Sequence, residues 1–446
     1  MLMKVKKVWT YLAQPIRSEK ISLFRMFFGA VLLVQTLYFY AIDFIQNDVV
    51  DPVLHFPYHG FSFIEVLAPG VMQLFLFLML LSSIAFIIGY RTRLFSWFYL
   101  LPFTYLFLID KGYYNNHYYL ILLLLLLFCF IQSDLRLSIS KGSQKVNYRW
   151  EEWILLFQFS IVFIYAGLNK INVYWLFNHE PIHHILLAKA SLSNSGFWSS
   201  AFLEYTMVWG GVLFDVFIVP LLLWKKTRTI GVLLFLFFNG MNTLLFYDIG
   251  EIGVFPLLML SSLVLFYPST SILTFLNRVF SYKSKSLYNG EKPDLKPLTK
   301  VLISAYVVLQ ILLPLRHHLF KGNVDYTGEG QRFSWRMKSV YKDFKIMFIL
   351  KDEQKGIEAS LDPRTVLTVK QYTNLGYYPE LILPVSDNLR QAALEKGVLD
   401  PKIYVDYKVA FNGLASQYIV SPNAELSTLY YSPIRHSSWI LPLKHD

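Results

Sequence analysis

Cysteine, acidic side chains and glycosylation acceptors are what this sequence has least of. Its single cysteine, Cys129, lies inside an apolar run, which excludes an intrachain disulfide and a cysteine-rich metal site. No Asn-x-Ser/Thr acceptor occurs. With disulfides also missing, a bacterial inner membrane is expected rather than a secretory compartment. Asp and Glu number 30 against 41 Lys and Arg, and charged residues make up only 16% of the 446, where soluble domains carry about 25%. There is no P-loop, no Ser-His-Asp order, no GxGxxG opening a helix, and no internal repeat. A cleavable signal peptide is not expected, because the basic start MLMKVKKVW leads into a full-length apolar segment.

Apolar residues take up the difference. Hydrophobic residues are 55% of the chain and the mean hydropathy is +0.41, which predicts a polytopic α-helical membrane protein. About nine transmembrane helices of span-forming hydropathy are expected. They lie near Ile21–Ile42, Val71–Gly89, Leu94–Asp110, His117–Gln132, Trp153–Ile171, Tyr205–Trp224, Thr229–Phe246, Ile252–Tyr267 and Leu302–Leu315. The formal charge of +11 is scattered over short connections, so it sets topology and no nucleic-acid partner is expected. One alternate set of connections holds 20 Lys and Arg; the other set holds only Lys111 and Lys189. The N-terminus is therefore expected to be cytoplasmic, with everything after Leu315 outside.

Beyond Leu315 the pattern changes. Phe344–Leu350 and Thr365–Val369 alternate, and Ile403, Val405, Tyr407, Val409 and Phe411 recur every second residue before Asn412-Gly413. That reads as strands, the last entering a hairpin. Ser386–Lys396, followed by Gly397, reads as one short helix. The expected organisation is a transmembrane domain over 1–315 and a β-rich extracytoplasmic domain over 316–446.

The stretch Trp153–Ile171 organises the rest. It carries Gln158 in its middle and closes with Gly167, Asn169 and Lys170. A lysine there ordinarily snorkels to the headgroups. The charge pattern, however, puts Lys170 at the end of the helix where lysines are scarce, which makes it the candidate reactive group. Asp110, Lys111, Asn115, Asn116, His117, His179, His183, His184, Asp248 and Glu251 belong to the same outer side. For Asp110 and Lys111 the plain reading is a local ion pair, about 0–1 kcal/mol. His117, at a helix start, is expected to bond the loop backbone. His183 and His184 diverge by roughly 100° on a helix, so no shared metal is expected. Asp215 interrupts a span and should face the bundle interior, paired or protonated, in a structural role. Asn239 and Asn242 are expected to bond neighbouring helices, at about 1 kcal/mol or less each.

Five stretches, in order, resemble the vitamin K-dependent γ-glutamyl carboxylase family, whose membrane part is the HTTM domain. Leu108–Leu120, LIDKGYYNNHYYL, is similar to LDKxxWNNHxYL. Gln158–Ile171, followed by Trp175, is similar to QFFIVYFIAGxKKL followed by W. The others are Gly240–Phe246 leading to Ile252–Phe255, Phe333–Met337 (FSWRM), and Tyr431–Trp439 (YSPIRHSSW). The resemblance implies that Lys170 is the catalytic base, assisted by His117. It implies reduced vitamin K or menahydroquinone as cofactor, O2 and CO2 as co-substrates, and a glutamyl protein or peptide as substrate, with no metal. Asn115, Asn116, Asn242, Trp335 and Arg336 would contact quinone or substrate, with Asp110, Lys111 and Asp215 as supporting polar groups. The chain departs from the family at Asn169, where a second lysine is usual, and at Asn239, in place of a histidine. It also has about three extra residues in Tyr247–Glu251, and Arg336 stands where the animal enzymes are acidic. An ordinary lysine is protonated at neutral pH, so the site must favour the neutral amine, and the apolar run Phe157–Tyr165 is the expected desolvating wall.

Three other readings remain open. One is a hydroquinone epoxidase that has lost carboxylation. Another is a transporter, against which the missing repeat counts. The third is a non-catalytic quinone- or lipid-binding scaffold.

Overall fold

The computed structural model describes residues 2–140, 146–193, 195–246, 252–282, 294–352 and 356–444; Asp248 and Glu251 lie outside them. An N-terminal helix α1 (Leu2–Leu12) and a short strand β1 (Pro15–Ile16) precede α2 (Glu19–Ala41), α3 (Pro69–Ile88), α4 (Thr92–Ile109) and α5 (Asn116–Phe128). Strand β2 (Asn147–Tyr148) pairs with β1 and opens α6 (Arg149–Asn169). There Glu151 reaches back to the Tyr148 N–H at 2.8 Å and closes the free helix end. Short helices α7 (Val173–Leu176) and α8 (Ile182–Ser193) lead to α9 (Ala201–Leu223) and α10 (Arg228–Phe246). Then come α11 (Phe255–Ser261), α12 (Leu263–Phe266), α13 (Ser269–Phe280) and α14 (Pro297–Leu315).

Among the described residues, seven helices are long and apolar enough to cross a membrane: α2, α3, α4, α6, α9, α10 and α14. The other two of the nine expected segments differ for physical reasons. Helix α5 has 13 residues, about 20 Å at the α-helical rise, short of the roughly 30 Å of hydrocarbon. The eighth is broken: α13 leaves the α11–α12 segment at 105°, at Pro268, before which Tyr267 is extended. Helix α6 is the hub, with 67% of its apolar window buried, while α14 rides on the periphery at 11%.

The C-terminal part holds α15 (Val324–Thr327), β3 (Lys342–Asp352), β4 (Ile357–Leu361), α16 (Val369–Tyr377), α17 (Ile382–Glu395), β5 (Lys402–Phe411) and β6 (Gln417–Tyr418). The sheet is antiparallel in the order β4-β3-β5-β6. Ile403, Val405, Tyr407, Val409 and Phe411 are buried in alternation, and Asn412 and Gly413 turn the chain at φ 45° and 78°. Thr365–Val369 is not a strand. Thr368 caps α16, accepting from Gln371 N at 3.2 Å while Gln371 Oε1 accepts from Thr368 N at 3.1 Å. That T-x-x-Q box outweighs a short alternation. The helix expected at Ser386–Lys396 starts a turn earlier, at Ile382.

Among the described residues, the two parts exchange one large buried side chain each. Trp335 belongs to the core of the helical bundle, and Phe56, from the loop after α2, belongs to the core under the sheet.

Candidate active site

Lys170 caps the C-terminus of α6, and its ammonium donates to Asp215 Oδ2 on α9 at 2.5 Å, with both residues buried. It does not snorkel. Gly167 permits the approach: a Cβ there would lie 2.8 Å from Val216 Cγ2 and 3.1 Å from Val216 N, so α6 touches α9 beside the carboxylate. Lys170 Nζ also lies 4.9 Å from the Trp175 ring centroid and 6.0 Å from that of Phe238. An aromatic face attracts a cation in this way.

Above this pair runs the FSWRM loop, gripped by its backbone. Asn169 Nδ2 donates to Ser334 O at 2.9 Å, Asn116 Nδ2 to Arg336 O at 3.0 Å, and Phe333 N to Tyr114 Oη at 2.8 Å. Phe333 and Trp335 both have positive φ, 65° and 56°. For bulky side chains this costs about 1–3 kcal/mol each unless the surroundings enforce it. The turn drives Trp335 into the bundle, stacked on Tyr119 at 5.0 Å and 29°, with its Nε1–H buried and unpartnered among the described residues. Arg336 Nη1 donates to Asp325 Oδ2 at 2.6 Å. Asn169, where the family has a lysine, thus serves the loop.

Asp110 and Lys111 do not pair with each other. Asp110 accepts from Gly112 N at 2.7 Å and from Gln371 Nε2 at 2.8 Å, tying the α4–α5 loop to α16. Lys111 lies over the Tyr431 ring at 5.9 Å, and burial holds its amine below the ordinary lysine value against the pull of Glu380. Asn115 caps α5, its Oδ1 accepting from His117 N at 3.3 Å. The His117 ring makes no hydrogen bond among the described residues. It is buried against Gly253, where a Cβ would fall 2.8 Å from its Cε1. Among the described residues His117 and Lys170 are joined indirectly, through the loop that Asn116 and Asn169 both hold. Asn242 is half-buried one turn beyond Phe238, with no hydrogen bond among the described residues. Asn239 bonds Phe235 O of its own helix at 2.9 Å, not a neighbouring helix.

His179 and His183 both meet the Glu204 carboxylate, at 2.6 and 2.8 Å, whereas His184 meets Glu180 at 2.7 Å and stacks on Tyr341. The expectation that no HxxxH or HExxH spacing accompanies His183 and His184 is wrong, since His179–His183, HEPIH, spells HExxH. Its Pro181 keeps it off a continuous helix, since α8 begins only at Ile182. Sequence reasoning also missed Tyr114, Tyr119 and Asp325, which hold the loop; Tyr114 and Tyr119 flank the NNH motif, a signal that was there to use.

Residues 13–270 match the family model of the HTTM domain, and residues 295–446 match that of the vitamin K-dependent gamma-carboxylase lumenal domain. No solved structure matches the chain.

Proposed function

Because the chain belongs to the vitamin K-dependent gamma-carboxylase family, we propose that it couples O2-dependent epoxidation of reduced vitamin K to γ-carboxylation of glutamate in a protein or peptide. The observation that carries this reading is the burial of Lys170 against Asp215 beneath the FSWRM loop. When bound, reduced vitamin K or menahydroquinone supplies, with O2, the base strength that removal of a γ-proton demands. The chain's own residues do the rest. Lys170, held by Asp215 at 2.5 Å, would take up the proton and set positive charge opposite the anion formed. Exclusion of water strengthens that charge pairing.

Trp175 and Phe238, which flank Lys170, would offer such a ring aromatic walls, and the orphan Trp335 Nε1–H and the Asn242 amide would be donors for its oxygens. An isoprenoid tail would stay in the lipid, which accounts for a membrane fold. Arg336, aimed by Asp325, would orient the glutamyl carboxylate while CO2 adds at the γ-carbon. In this reading the N-terminus is cytoplasmic, the membrane is a bacterial inner membrane, and the sheet domain lies outside it, as the one-sided distribution of basic residues supports.

The test uses full-length protein in nanodiscs with reduced vitamin K, O2, labelled bicarbonate and a glutamyl peptide. Epoxide and peptide-bound label should appear together and be lost together in Lys170→Ala. Epoxide without label would favour an epoxidase that has lost carboxylation. Neither product from folded, quinone-bound protein would sink the enzymatic reading.

A further inference from the structure

A cavity of ≈ 390 Å3 opens at the end of the bundle opposite Lys170, where α2, α6, α9 and α10 meet the bend between α12 and α13. Helix α6 separates the two places by its full length, about 30 Å at the helical rise. Three cations line the cavity, Lys20, Arg149 and Arg228, against one carboxylate, Glu152. Lys20 neutralises that carboxylate at 2.6 Å and also donates to Leu265 O. Two guanidinium charges are left over. Among the described residues the Arg149 side chain makes no hydrogen bond or ion pair, although its backbone N–H donates to Gln14 O at 2.9 Å; the guanidinium only stacks 4.2 Å from the Tyr11 ring centroid. Arg228 spends Nε and Nη2 on Leu222 O and Leu223 O, at 2.8 and 3.0 Å, which fixes its direction and leaves Nη1 open.

We propose that this cavity binds the phosphate headgroup of an anionic phospholipid. A lipid is favoured over a soluble phosphate because the cavity wall runs without a break into exposed apolar surface: Trp153 and Leu223 line it and also lie on the outside of the bundle. Two helices of interfacial character flank it. Helix α1 has Lys6 and Lys7 outward and Trp9 and Leu12 partly inward, and α13 turns Ile272 and Leu276 in and Phe275 and Phe280 out. Such helices lie at headgroup level, with the acyl chains below. A pair of Arg side chains gives a phosphate bidentate donors there. The proposal does not depend on the carboxylase reading.

The experiment is native mass spectrometry of the full-length protein, released from detergent and titrated with phosphatidylglycerol and with phosphatidylcholine. The wild type should prefer phosphatidylglycerol by about tenfold or more, and Arg149→Gln/Arg228→Gln should erase that preference. Lys300→Gln, a basic residue outside the cavity, should leave it intact. If the double variant is misfolded by gel filtration, Arg149→Gln alone is read, since that side chain only stacks on Tyr11. Equal binding of the two lipids by the wild type, or a preference retained in the variants, overturns the proposal. Displacement of phosphatidylglycerol by excess inorganic phosphate would show a soluble-anion site and overturn the lipid assignment.

Discussion

Asp215 lies 2.5 Å from Lys170, with side chains 5% and 9% exposed, and the two come from helices brought together at Gly167. Removing one charge from such a pair strands the other in a dry interior, typically at 3–5 kcal/mol. Asp215→Asn should therefore lower stability by about that much and reduce epoxide formation at least about 100-fold, a typical contribution of a positioned proton acceptor. The double variant Lys170→Met/Asp215→Leu should recover most of the stability and none of the activity. Thermal unfolding and epoxide assays on the same preparations decide it. Activity of Asp215→Asn close to wild type would leave the carboxylate a merely structural partner.

The FSWRM loop depends on two asparagines from different helices. Asn169→Ala and Asn116→Ala each remove one hydrogen bond to its backbone, about 0.5–1.5 kcal/mol, and release a turn held at positive φ. Each should raise the KM for glutamyl peptide several-fold more than that for reduced vitamin K. Because they grip one segment, their effects should fall short of additivity in a double-mutant cycle. Strict additivity would mean that the loop is not a single unit.

How much of this was legible depended on whether a residue's partner was close in sequence. Seven of the nine expected spans, the alternation of β5 and the Asn412-Gly413 turn follow from local hydropathy and periodicity, so they could be read. Lys170 stood out because it broke a charge pattern. Its partner could not be found the same way: Asp215 lies 45 residues away, and its isolation in an apolar helix said only that it should be paired. Asp110 and Lys111 misled for the converse reason. Adjacent opposite charges invite a local pair, but each was taken by the C-terminal part, through Gln371 and the Tyr431 ring. Asn169 looked like a lost lysine until the backbone of Ser334 appeared above it.

Within the sheet domain Arg332 and Glu380 form a buried ion pair, and the Arg332 guanidinium also stacks 3.8 Å from the Tyr378 ring centroid. Burial alone would raise the Glu380 carboxyl, but Arg332 and Lys111 outweigh it and hold it below the usual range. Glu380→Gln keeps the shape and leaves Arg332 charged and buried, so it should destabilise by roughly 3–5 kcal/mol. Arg332→Met/Glu380→Gln should cost less than that single change. Thermal unfolding in nanodiscs would show it, and equal losses would argue against the pair.

Lys342 sets a pH dependence of the same sense as acid unfolding, but on the alkaline side of neutrality. Its amine is buried and donates to Tyr326 O and Tyr377 O at 2.7 and 2.8 Å, and burial pushes its pKa down to about 7 against the pull of Asp325 and Glu380. Unfolded, it titrates near 10.4. Between these values the unfolded chain binds the extra proton, so stability should rise with pH across that window, by a few kcal/mol at most, and be flat below it. Lys342→Met strands two carbonyls and shifts the whole curve down, but it should remove the slope. The difference between wild-type and variant unfolding curves from pH 7 to about 10 is the measurement. A slope unchanged in Lys342→Met assigns it to other groups.

Gly253 offers a way to move His117 without changing it. The glycine has φ +51°, and a Cβ there would come within 2.8 Å of the His117 Cε1 and 3.0 Å of its Nε2. Gly253→Ala must therefore push the imidazole or bend the turn before α11, for about 1–3 kcal/mol of overpacking and strain. If the position of His117 matters to the reaction, Gly253→Ala should depress kcat for epoxide formation about as far as His117→Ala does, with KM for reduced vitamin K little changed. If His117 only fills the wall beneath Gly253, the smaller His117→Ala side chain should relieve the clash. The double variant Gly253→Ala/His117→Ala would then be more active than Gly253→Ala alone. The two outcomes differ in sign, so one set of kinetic measurements on the three variants separates a positioned imidazole from packing.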